Sequence, residues 1–329
     1  MALLLSRSDV QKLLPMSKAI DVVESAFSEL ANGTAEMPPR TVLMDPKVGG
    51  WIAFMPSYLK SGGALGVKAV TVYKGNPEKF GMPTTLATII VMDNQTGQTL
   101  AVMDGGFLTA VRTGAVSGVA TRHLARKNSK IGGILGTGVQ ARAQVIAMCE
   151  AANLDEVLSF SVDPDDRRKA FADDLSATTG VPMRLVASTE DVLANSDVVS
   201  LATTAAKPIV KADWWKEGAH INAIGSHAPG VRELDTATII KSKLVCDQTA
   251  ACLAEAGDVQ IPIEEGAYSA DRIHGDLGAV INRTISGREN DSEITLFKSV
   301  GLAIQDISCA ALVYQQAVEQ GVGTEFAFS

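Results

Sequence analysis

A glycine-rich segment at residues 131–141, IGGILGTGVQA, limits the folds open to this chain more than any other stretch. An apolar run, Ile131–Leu135, leads directly into Gly136-Thr137-Gly138, and a helical pattern follows over Ala141–Ala152. A dinucleotide-binding turn has this order, because its first glycine permits a tight turn and its second lets the backbone approach a pyrophosphate. The phosphates would lie at the free N–H groups of the helix N-terminus. An ordinary turn could carry the same glycines, but the flanking strand and helix favour nucleotide binding.

Strand-like and helical segments alternate from Lys130 onwards, as they do in a parallel sheet with crossover helices. We therefore predict an α/β fold with a Rossmann-type doubly wound parallel sheet. The six predicted strands are Ile131–Leu135, Val157–Val162, Met183–Val186, Val198–Leu201, His220–Ile224 and Leu244–Cys246.

The first hundred residues have a different pattern, in which strand-like runs follow one another through short turns. This arrangement predicts an antiparallel sheet and hence a separate α+β domain. A helix at residues 114–127 would link the two domains, and a helix at about 300–320 would pack back on the first. We predict a discontinuous first domain at residues 1–115 and 300–329, and a dinucleotide-binding domain at residues 116–299.

Composition excludes several classes of function. The 329 residues include 29 basic and 37 acidic side chains without a basic cluster, so no nucleic-acid partner is expected. No apolar run reaches the roughly 20 residues that cross a bilayer, and no signal peptide is evident, so we expect a cytoplasmic protein without a membrane partner. The four cysteines and four histidines show no metal-ligand spacing, so no metal is expected.

Three cationic residues stand in contexts that suit a binding site. Lys68 lies in an apolar strand-like run, LGVKAV, where burying an ammonium group is costly unless it meets an anion. Arg40 follows two prolines, and Arg112 lies in the segment LTAVRT. An edge-strand lysine that reaches solvent, and arginines in surface salt bridges, are the ordinary alternatives. If the three cations converge, they would form a clamp for a carboxylate.

His227 lies just beyond the predicted strand His220–Ile224, in the segment GSHAPG. Ligands of open α/β sheets bind at the carboxyl ends of the strands. A histidine at that edge could exchange a proton near neutral pH, whereas a solvent-exposed loop histidine would have no such role.

Several ordered segments together resemble the ornithine cyclodeaminase/μ-crystallin family over nearly the whole chain. The segments that carry this resemblance are residues 37–40 (MPPR), 66–68 (GVK), 81–84 (GMPT), 108–115 (LTAVRTGA), 124–129 (LARKNS), 136–141 (GTGVQA), 220–225 (HINAIG) and 301–306 (GLAIQD).

The resemblance implies a homodimer whose subunit has a discontinuous substrate-binding and dimerisation domain and a Rossmann domain. It implies that Arg40, Lys68 and Arg112 hold the carboxylate of a small imino or amino acid and polarise its α-nitrogen centre. The residues expected to contact a nicotinamide dinucleotide, including the glycines of the turn, are Thr84, Arg112, Gly136, Gly138, Val139, Gln140, Thr203, Asn222, Ala223, Ile224 and Ser299.

One position departs from the family's cyclodeaminases. Those enzymes carry an acidic residue on the loop after residues 222–225, where it handles the amines of the substrate, whereas this chain has Ser226 and then His227. An imidazole cannot replace a carboxylate in holding a second ammonium group. Cyclisation of ornithine is therefore not expected, and the pattern is closer to the family's amino-acid dehydrogenases and imine reductases.

The ribose site is also unusual. Ser161 stands where many NAD-using members have aspartate, and Asp163 follows two residues later. Asp163 could bind the 2′-hydroxyl of NAD, while Ser161 with Arg167 and Arg168 could instead hold the 2′-phosphate of NADP. We expect NAD and leave NADP open.

These observations predict an NAD(P)H-dependent imine reductase or L-amino-acid dehydrogenase that transfers hydride between nicotinamide and C2 of an imino acid. Lys68 or His227 would donate the proton. The candidate substrates are iminosuccinate, a cyclic ketimine such as pyrroline-2-carboxylate, and iminopyruvate formed from pyruvate and ammonia. Positive charge at His227 and Arg232 favours iminosuccinate, which would give aspartate. An ornithine-type cyclodeaminase and a non-catalytic nucleotide-binding protein of the μ-crystallin kind stay open as alternatives.

Overall fold

The computed structural model describes residues 1–328 and separates the chain into two units. The first unit comprises residues 1–112 and the chain from Leu302 onwards, and the second comprises Thr113–Gly301. These limits lie close to the expected ones, 1–115 with 300–329 and 116–299. Among the described residues, none of the helices combines the length and the apolar character needed to cross a membrane.

Strands and helices are numbered here in chain order. The strands are β1 (Ala2–Leu5), β2 (Ala35–Glu36), β3 (Thr41–Asp45), β4 (Gly50–Leu59), β5 (Ala64–Tyr73), β6 (Thr85–Met92), β7 (Thr99–Asp104), β8 (Ile131–Leu135), β9 (Glu156–Phe160), β10 (Met183–Leu185), β11 (Val198–Leu201), β12 (His220–Ala223), β13 (Lys243–Cys246), β14 (Gly275–Asp276), β15 (Thr295–Lys298) and β16 (Thr324–Phe326). The helices are α1 (Arg7–Leu13), α2 (Met16–Ala31), α3 (Asn76–Phe80), α4 (Gly105–Leu124), α5 (Val139–Ala151), α6 (Asp165–Thr179), α7 (Thr189–Asn195), α8 (Thr236–Lys241), α9 (Thr249–Glu255), α10 (Gly257–Glu264), α11 (Leu277–Ile281) and α12 (Ala303–Gln320).

The first unit is a largely antiparallel sheet with helices on one face. Its strand order is β16-β1-β7-β6-β5-β4-β2, with β3 paired to β4. Among the described strands of this sheet, only the pair β1–β7 is parallel. Helix α12 contacts α2, β4, β5 and β6, and it buries the inward-facing residues of those strands, among them Ala53, Met55 and Val70. The predicted antiparallel sheet is confirmed.

The second unit is a parallel sheet with the order β10-β9-β8-β11-β12-β15-β13-β14. Successive strands run outwards in one direction from β8 and in the other direction from β11, so the switch point lies between these two strands. The predicted Rossmann-type fold is confirmed. The prediction of six strands is wrong, because eight are present among the described residues, and β15 lies between β12 and β13. Strand β15, TLFK, is short and ends in a lysine, which hid it from the sequence pattern.

Helix α4 begins at Gly105 and not at the predicted Gly114. Its first turn is capped by Asp104, whose Oδ1 accepts a hydrogen bond of 2.9 Å from the backbone N–H of Phe107. An aspartate at this position stabilises a helix start, but the two glycines that follow it concealed the helix from the pattern. Arg112 therefore lies inside a helix.

Candidate active site

Lys68 and Asp306 form a buried ion pair in the first unit. The Lys68 Nζ lies 2.6 Å from the Asp306 Oδ2, and the two side chains are 1% and 0% exposed. Strand β5 brings Lys68 inwards because alternate residues face α12, and Gly66 and Val70 share that face. Asp306 lies in the first turn of α12. Each charge would be costly to bury alone, so the pairing explains why both are tolerated.

Arg112 joins the same pair from α4. Its Nε donates a hydrogen bond of 2.9 Å to the Asp306 Oδ1, and its Nη1 donates one of 2.5 Å to the Gln305 Oε1. One carboxylate thus bridges an ammonium and a guanidinium group. With both cations charged, this cluster carries an excess of one positive charge, which would attract an anionic ligand.

Lys68 is placed to exchange a proton near neutral pH. Burial lowers the pKa of Lys68 to about 7, Asp306 opposes that shift, and the positive charges of Arg112 and Arg40 reinforce it. Arg40 is half-buried in the segment between β2 and β3, and its charge reaches Lys68. The first unit therefore brings the three predicted cations into one electrostatic cluster.

Asp306 and Gln305 are not among the site residues that the sequence predicts. Both lie in the segment GLAIQD, which contributes only to the family resemblance. A signal was present, since Asp306 stands between Ile304 and Ile307 on a helix whose first turns are wholly buried. A carboxylate in such surroundings needs a cationic partner, and Lys68 on an apolar strand needs an anionic one.

In the second unit, the predicted dinucleotide turn lies at the switch point between β8 and β11. Gly136 has a φ of 108°, and a Cβ at this position would lie 2.6 Å from the backbone oxygen of Ala202. Nothing lies within 4 Å of a Cβ built on Gly138, which precedes Val139 at the start of α5. The Oε1 of Gln140 is buried with no hydrogen-bond partner among residues 1–328. A tight turn, open space beside Gly138 and an unpaired buried oxygen all fit a bound dinucleotide.

Asp163, just beyond β9, is the centre of a polar group at the predicted ribose site. Its Oδ2 accepts hydrogen bonds from the hydroxyl of Thr137 and, at 2.9 Å, from the hydroxyl of Ser161. Its Oδ1 lies 3.2 Å from Arg167. The hydrogen bond from Thr137, followed by that from Ser161, lowers the pKa of Asp163, so the carboxyl group is ionised at neutral pH. Arg168 instead donates to the backbone oxygen of Val186 at 2.8 Å.

The remaining predicted cofactor residues of the second unit lie at strand ends. The Asn222 amide donates a hydrogen bond of 3.1 Å to the Thr121 hydroxyl, so this side chain is hydrogen bonded inside the unit. The neighbouring Ala223 and Ile224 are buried. The Ser299 hydroxyl donates a hydrogen bond of 2.7 Å to the Asp247 carboxylate, which also accepts hydrogen bonds from the N–H groups of Val300 and Gly301. Thr203 follows β11, and its N–H and hydroxyl donate to the Glu233 Oε1 at 2.9 Å and 2.6 Å.

Two further predicted residues lie at the surface of their own units. His227 is exposed beyond the end of β12, and its Nδ1 lies 3.1 Å from the backbone oxygen of Gly225. Thr84, in the first unit, is half-buried just before β6, and its backbone oxygen accepts from the N–H of Tyr73 at 2.8 Å. In the described residues no group of three or more His, Cys, Asp or Glu side chains is arranged as metal ligands would be.

Comparison with characterised proteins gives matches over the whole chain. The sequence model of the ornithine cyclodeaminase/μ-crystallin family matches residues 1–321. The alanine dehydrogenase of Archaeoglobus fulgidus is 38% identical over 328 residues, which are 99% of this chain and 98% of that protein. A Δ1-pyrroline-2-carboxylate reductase of Bacillus cereus is 37% identical, with 99% of this chain and 100% of that protein covered.

Solved structures agree with these relatives. The Δ1-pyrroline-2-carboxylate reductase of Thermococcus litoralis, in complex with NADH and L-proline, has a TM-score of 0.95 and 48% identity and covers 98% of this chain and 100% of its own. An archaeal alanine dehydrogenase dimer with bound NAD has a TM-score of 0.93 and 37% identity, covering 100% and 99%. The iminosuccinate reductase of Paracoccus denitrificans, in complex with NAD⁺, has a TM-score of 0.92 and 27% identity, covering 99% of each chain.

The predictions of reaction class and cofactor are confirmed at the level of these relatives, which are dehydrogenases and reductases of amino and imino acids. The three solved structures hold NAD or NADH. The resemblance drawn from the ordered sequence segments is confirmed as well. The chain belongs to the ornithine cyclodeaminase/μ-crystallin family.

Proposed function

We propose that this protein is an NAD(H)-dependent oxidoreductase that reduces a cyclic imino acid, pyrroline-2-carboxylate, to the corresponding L-amino acid. The buried cluster of Lys68, Asp306 and Arg112 carries this proposal, because it combines an excess positive charge with a lysine whose pKa is about 7. The 48% identity to a reductase that was solved with NADH and L-proline supports the choice of substrate.

Each residue of the cluster has a distinct task in this proposal. Arg112, with Arg40, attracts and orients the substrate carboxylate, since guanidinium groups match carboxylates in geometry and charge. Lys68 donates a proton to the imine nitrogen as the C=N bond becomes a C–N single bond. Asp306 holds Lys68 and Arg112 at fixed positions. When bound, NADH supplies the hydride that is added to C2.

NAD is proposed as the cofactor rather than NADP. The ionised carboxylate of Asp163 would repel a 2′-phosphate and accept from a 2′-hydroxyl. Arg167 lies against this carboxylate, and Arg168 bonds elsewhere, so the two arginines do not form a separate phosphate site. The relatives solved with NAD or NADH support the same choice.

The structure removes one argument for an acidic substrate such as iminosuccinate. Arg232 was expected to add positive charge near His227, but its Nη1 lies 3.1 Å from the Glu265 carboxylate and donates 3.0 Å to the Thr236 hydroxyl. Its charge is therefore compensated within its own surroundings. Iminosuccinate and iminopyruvate remain candidates through the 27% identical and 38% identical relatives, and they enter the test below.

The test is oxidation of NADH and of NADPH by the purified protein with each candidate imine. The panel comprises pyrroline-2-carboxylate, oxaloacetate with ammonia, and pyruvate with ammonia, and ornithine is assayed for release of ammonia. We expect the highest kcat/KM for pyrroline-2-carboxylate with NADH, and formation of proline in equal amount to the NADH consumed. Ammonia release from ornithine without net cofactor change would support the cyclodeaminase alternative, and tight NADH binding without any turnover would support the non-catalytic one.

We also propose that the protein is a homodimer that pairs through the outer face of the first unit's sheet. Leu43 and Leu86 lie in one cross-strand row on the face opposite α12, and Phe54 shares that face. All three are exposed apolar side chains, which mark a protein interface when they are contiguous. Light scattering should give a dimer for the native chain and a monomer for Leu43→Lys/Phe54→Lys. Val318→Lys, at an exposed apolar residue of α12, is the matched control and should leave the dimer intact.

A further inference from the structure

A second group of buried charges lies at the carboxyl ends of the second unit's strands. Lys298 ends β15, Asp258 lies in the first turn of α10, and Glu233 precedes α8, and all three are fully buried. The Lys298 Nζ donates to the Asp258 Oδ2 at 2.8 Å. The other oxygen of Asp258 accepts from the N–H groups of Glu233 and Leu234 at 2.8 Å and 3.0 Å. No role in the proposed reaction has been given to any of them.

This charge cluster holds the start of residues 226–231, here called the His227 loop, and the backbone just beyond the end of that loop. At the start of the loop, the Lys298 Nζ donates a hydrogen bond of 2.5 Å to the backbone oxygen of Ser226. At the end of the loop, the backbone oxygen of Val231 accepts a hydrogen bond of 2.6 Å from the Ser226 hydroxyl. A Cβ on Gly257 would lie 2.1 Å from that same oxygen, so α10 packs directly against the loop.

The cluster also reaches the dinucleotide turn. The Glu233 Oε1 accepts from the N–H and the hydroxyl of Thr203. A Cβ on Gly136, within the turn, would lie 3.6 Å from the Thr203 side chain and 2.6 Å from the Ala202 oxygen. A continuous path of contacts therefore runs from the turn through Thr203 and Glu233 to Asp258 and on to the loop.

A buried ion pair adds little net stability, because replacing it by apolar side chains is often neutral or stabilising. Here one ammonium group satisfies a loop carbonyl and a carboxylate at once, and one carboxylate satisfies two backbone N–H groups. The arrangement specifies one position of the His227 loop relative to the ends of β11 and β15.

We propose that Glu233, Asp258 and Lys298 are positioning residues that couple the His227 loop to the dinucleotide turn, so that NADH binding orders the loop. This inference rests on the proposed function only in taking NADH as the ligand of the turn. By linkage, the factor by which NADH favours the ordered loop equals the factor by which an ordered loop strengthens NADH binding.

The first test is the double variant Lys298→Met/Asp258→Asn. It removes both charges together, and the Asp258→Asn side chain keeps an oxygen for the N–H groups of Glu233 and Leu234. Amide hydrogen exchange in residues 226–231 is measured with and without NADH, and the NADH Kd is measured by fluorescence. In the native protein we expect NADH to slow this exchange. In the double variant we expect exchange in the free protein to be about tenfold faster and protection by NADH to disappear. The Kd should rise by the factor by which NADH slows this exchange in the native protein.

A second pair of variants tests the Glu233 link. Glu233→Gln keeps an oxygen that can accept from Thr203, and we expect it to retain protection of the loop by NADH. Glu233→Leu lacks that oxygen and should behave like the double variant. If Glu233 only stabilised the fold, the two substitutions would not differ in how strongly NADH protects the loop from exchange.

The matched control is Asp197→Asn. Asp197 precedes β11 at the opposite ends of the same strands, where it accepts from Arg126 at 2.5 Å and from Lys216 at 2.7 Å. We expect this control to lower the melting temperature and leave protection of the loop unchanged. Native-like protection in both the double variant and Glu233→Leu would overturn the inference, and if one of them fails to fold, the other decides. These measurements need no imine, so failure of turnover in the native protein would contradict the proposed reaction alone.

Discussion

Lys68 in the first unit and Lys298 in the second are both buried, and each lies against an aspartate oxygen, at 2.6 Å and 2.8 Å. Burial works to lower the pKa of both lysines. Around Lys68, Arg112 and Arg40 add to that effect, and the pKa falls to about 7. Around Lys298, Asp258 and a second carboxylate, Glu233, oppose it, and the pKa lies above its usual value.

The difference shows that burial alone does not decide the chemistry of a lysine. The sum of neighbouring charges decides whether it exchanges a proton or keeps it. Lys68 has one carboxylate and two guanidinium groups near it, so it is suited to proton transfer. Lys298 has two carboxylates near it, so it is a permanent cation suited to holding a backbone carbonyl in place.

The largest expected effect is on catalysis and follows from removing Lys68, the proposed proton donor. Lys68→Met should lower kcat/KM for pyrroline-2-carboxylate by about 10²–10⁴-fold, the range of a general acid, while NADH binding is retained. Steady-state kinetics and NADH fluorescence check this. Lys60→Met, which removes an exposed ion pair with Glu36 in the same unit, is the matched control and should change neither. Unchanged kcat/KM in Lys68→Met would exclude Lys68 as the proton donor.

The next effect is on stability and should fall on the other lysine. Lys298→Met leaves Asp258 buried without a cation, which should cost about 3–5 kcal/mol. Lys68→Met should cost less, because Asp306 keeps its hydrogen bond from Arg112. Urea denaturation of the two variants measures the difference. Equal losses would contradict the view that the two lysines sit in different charge environments.

A change of pH should separate the two surroundings further. In the proposed mechanism protonated Lys68 is the donor for reduction, so kcat/KM for the imine should fall as the pH rises through about 7, and kcat/KM for oxidation of the amino acid should rise over the same range. Asp306 raises the pKa of Lys68, so Asp306→Asn should move this inflection to lower pH. Both proteins are assayed with the same substrate, so ionisation of the substrate affects the two pH profiles equally. An inflection that stays in place in Asp306→Asn would assign the titration to another group.

The sequence allowed Lys68 to be singled out because a charged residue interrupts an apolar alternation on a strand. The apolar neighbours of Asp306 mark it as a second unusual charge, but the sequence could not pair it with Lys68. The two residues are 238 positions apart (306 − 68), and no spacing rule joins a strand to a helix from the far end of the chain. The same applies to Lys298 and Asp258, whose meeting depends on β15 lying between β12 and β13. Local patterns predict elements, whereas the charges around a buried group depend on tertiary neighbours.

The cofactor turn was more predictable than the substrate cluster. Its glycines, strand and helix are adjacent in sequence, and the structure differs from the prediction mainly in starting α5 at Val139. By contrast, the argument from Arg232 failed because its partner, Glu265, lies on a later part of the chain, just beyond α10. A positive residue near a site is informative only once its own counter-ion is known.

The smallest expected effect concerns His227, the other candidate proton donor. Its side chain is exposed, and its Nδ1 lies 3.1 Å from the backbone oxygen of Gly225, so this contact suits a group that shapes its loop. If Lys68 is the donor, His227→Gln should lower kcat for imine reduction by less than about tenfold, well below the loss expected of a general acid. The pH inflection near 7 should persist in the variant, because Lys68 and its neighbours are unchanged. A drop in kcat as large as that of Lys68→Met, with loss of the inflection, would assign proton transfer to the histidine. Lys68 would then serve only to bind the substrate carboxylate.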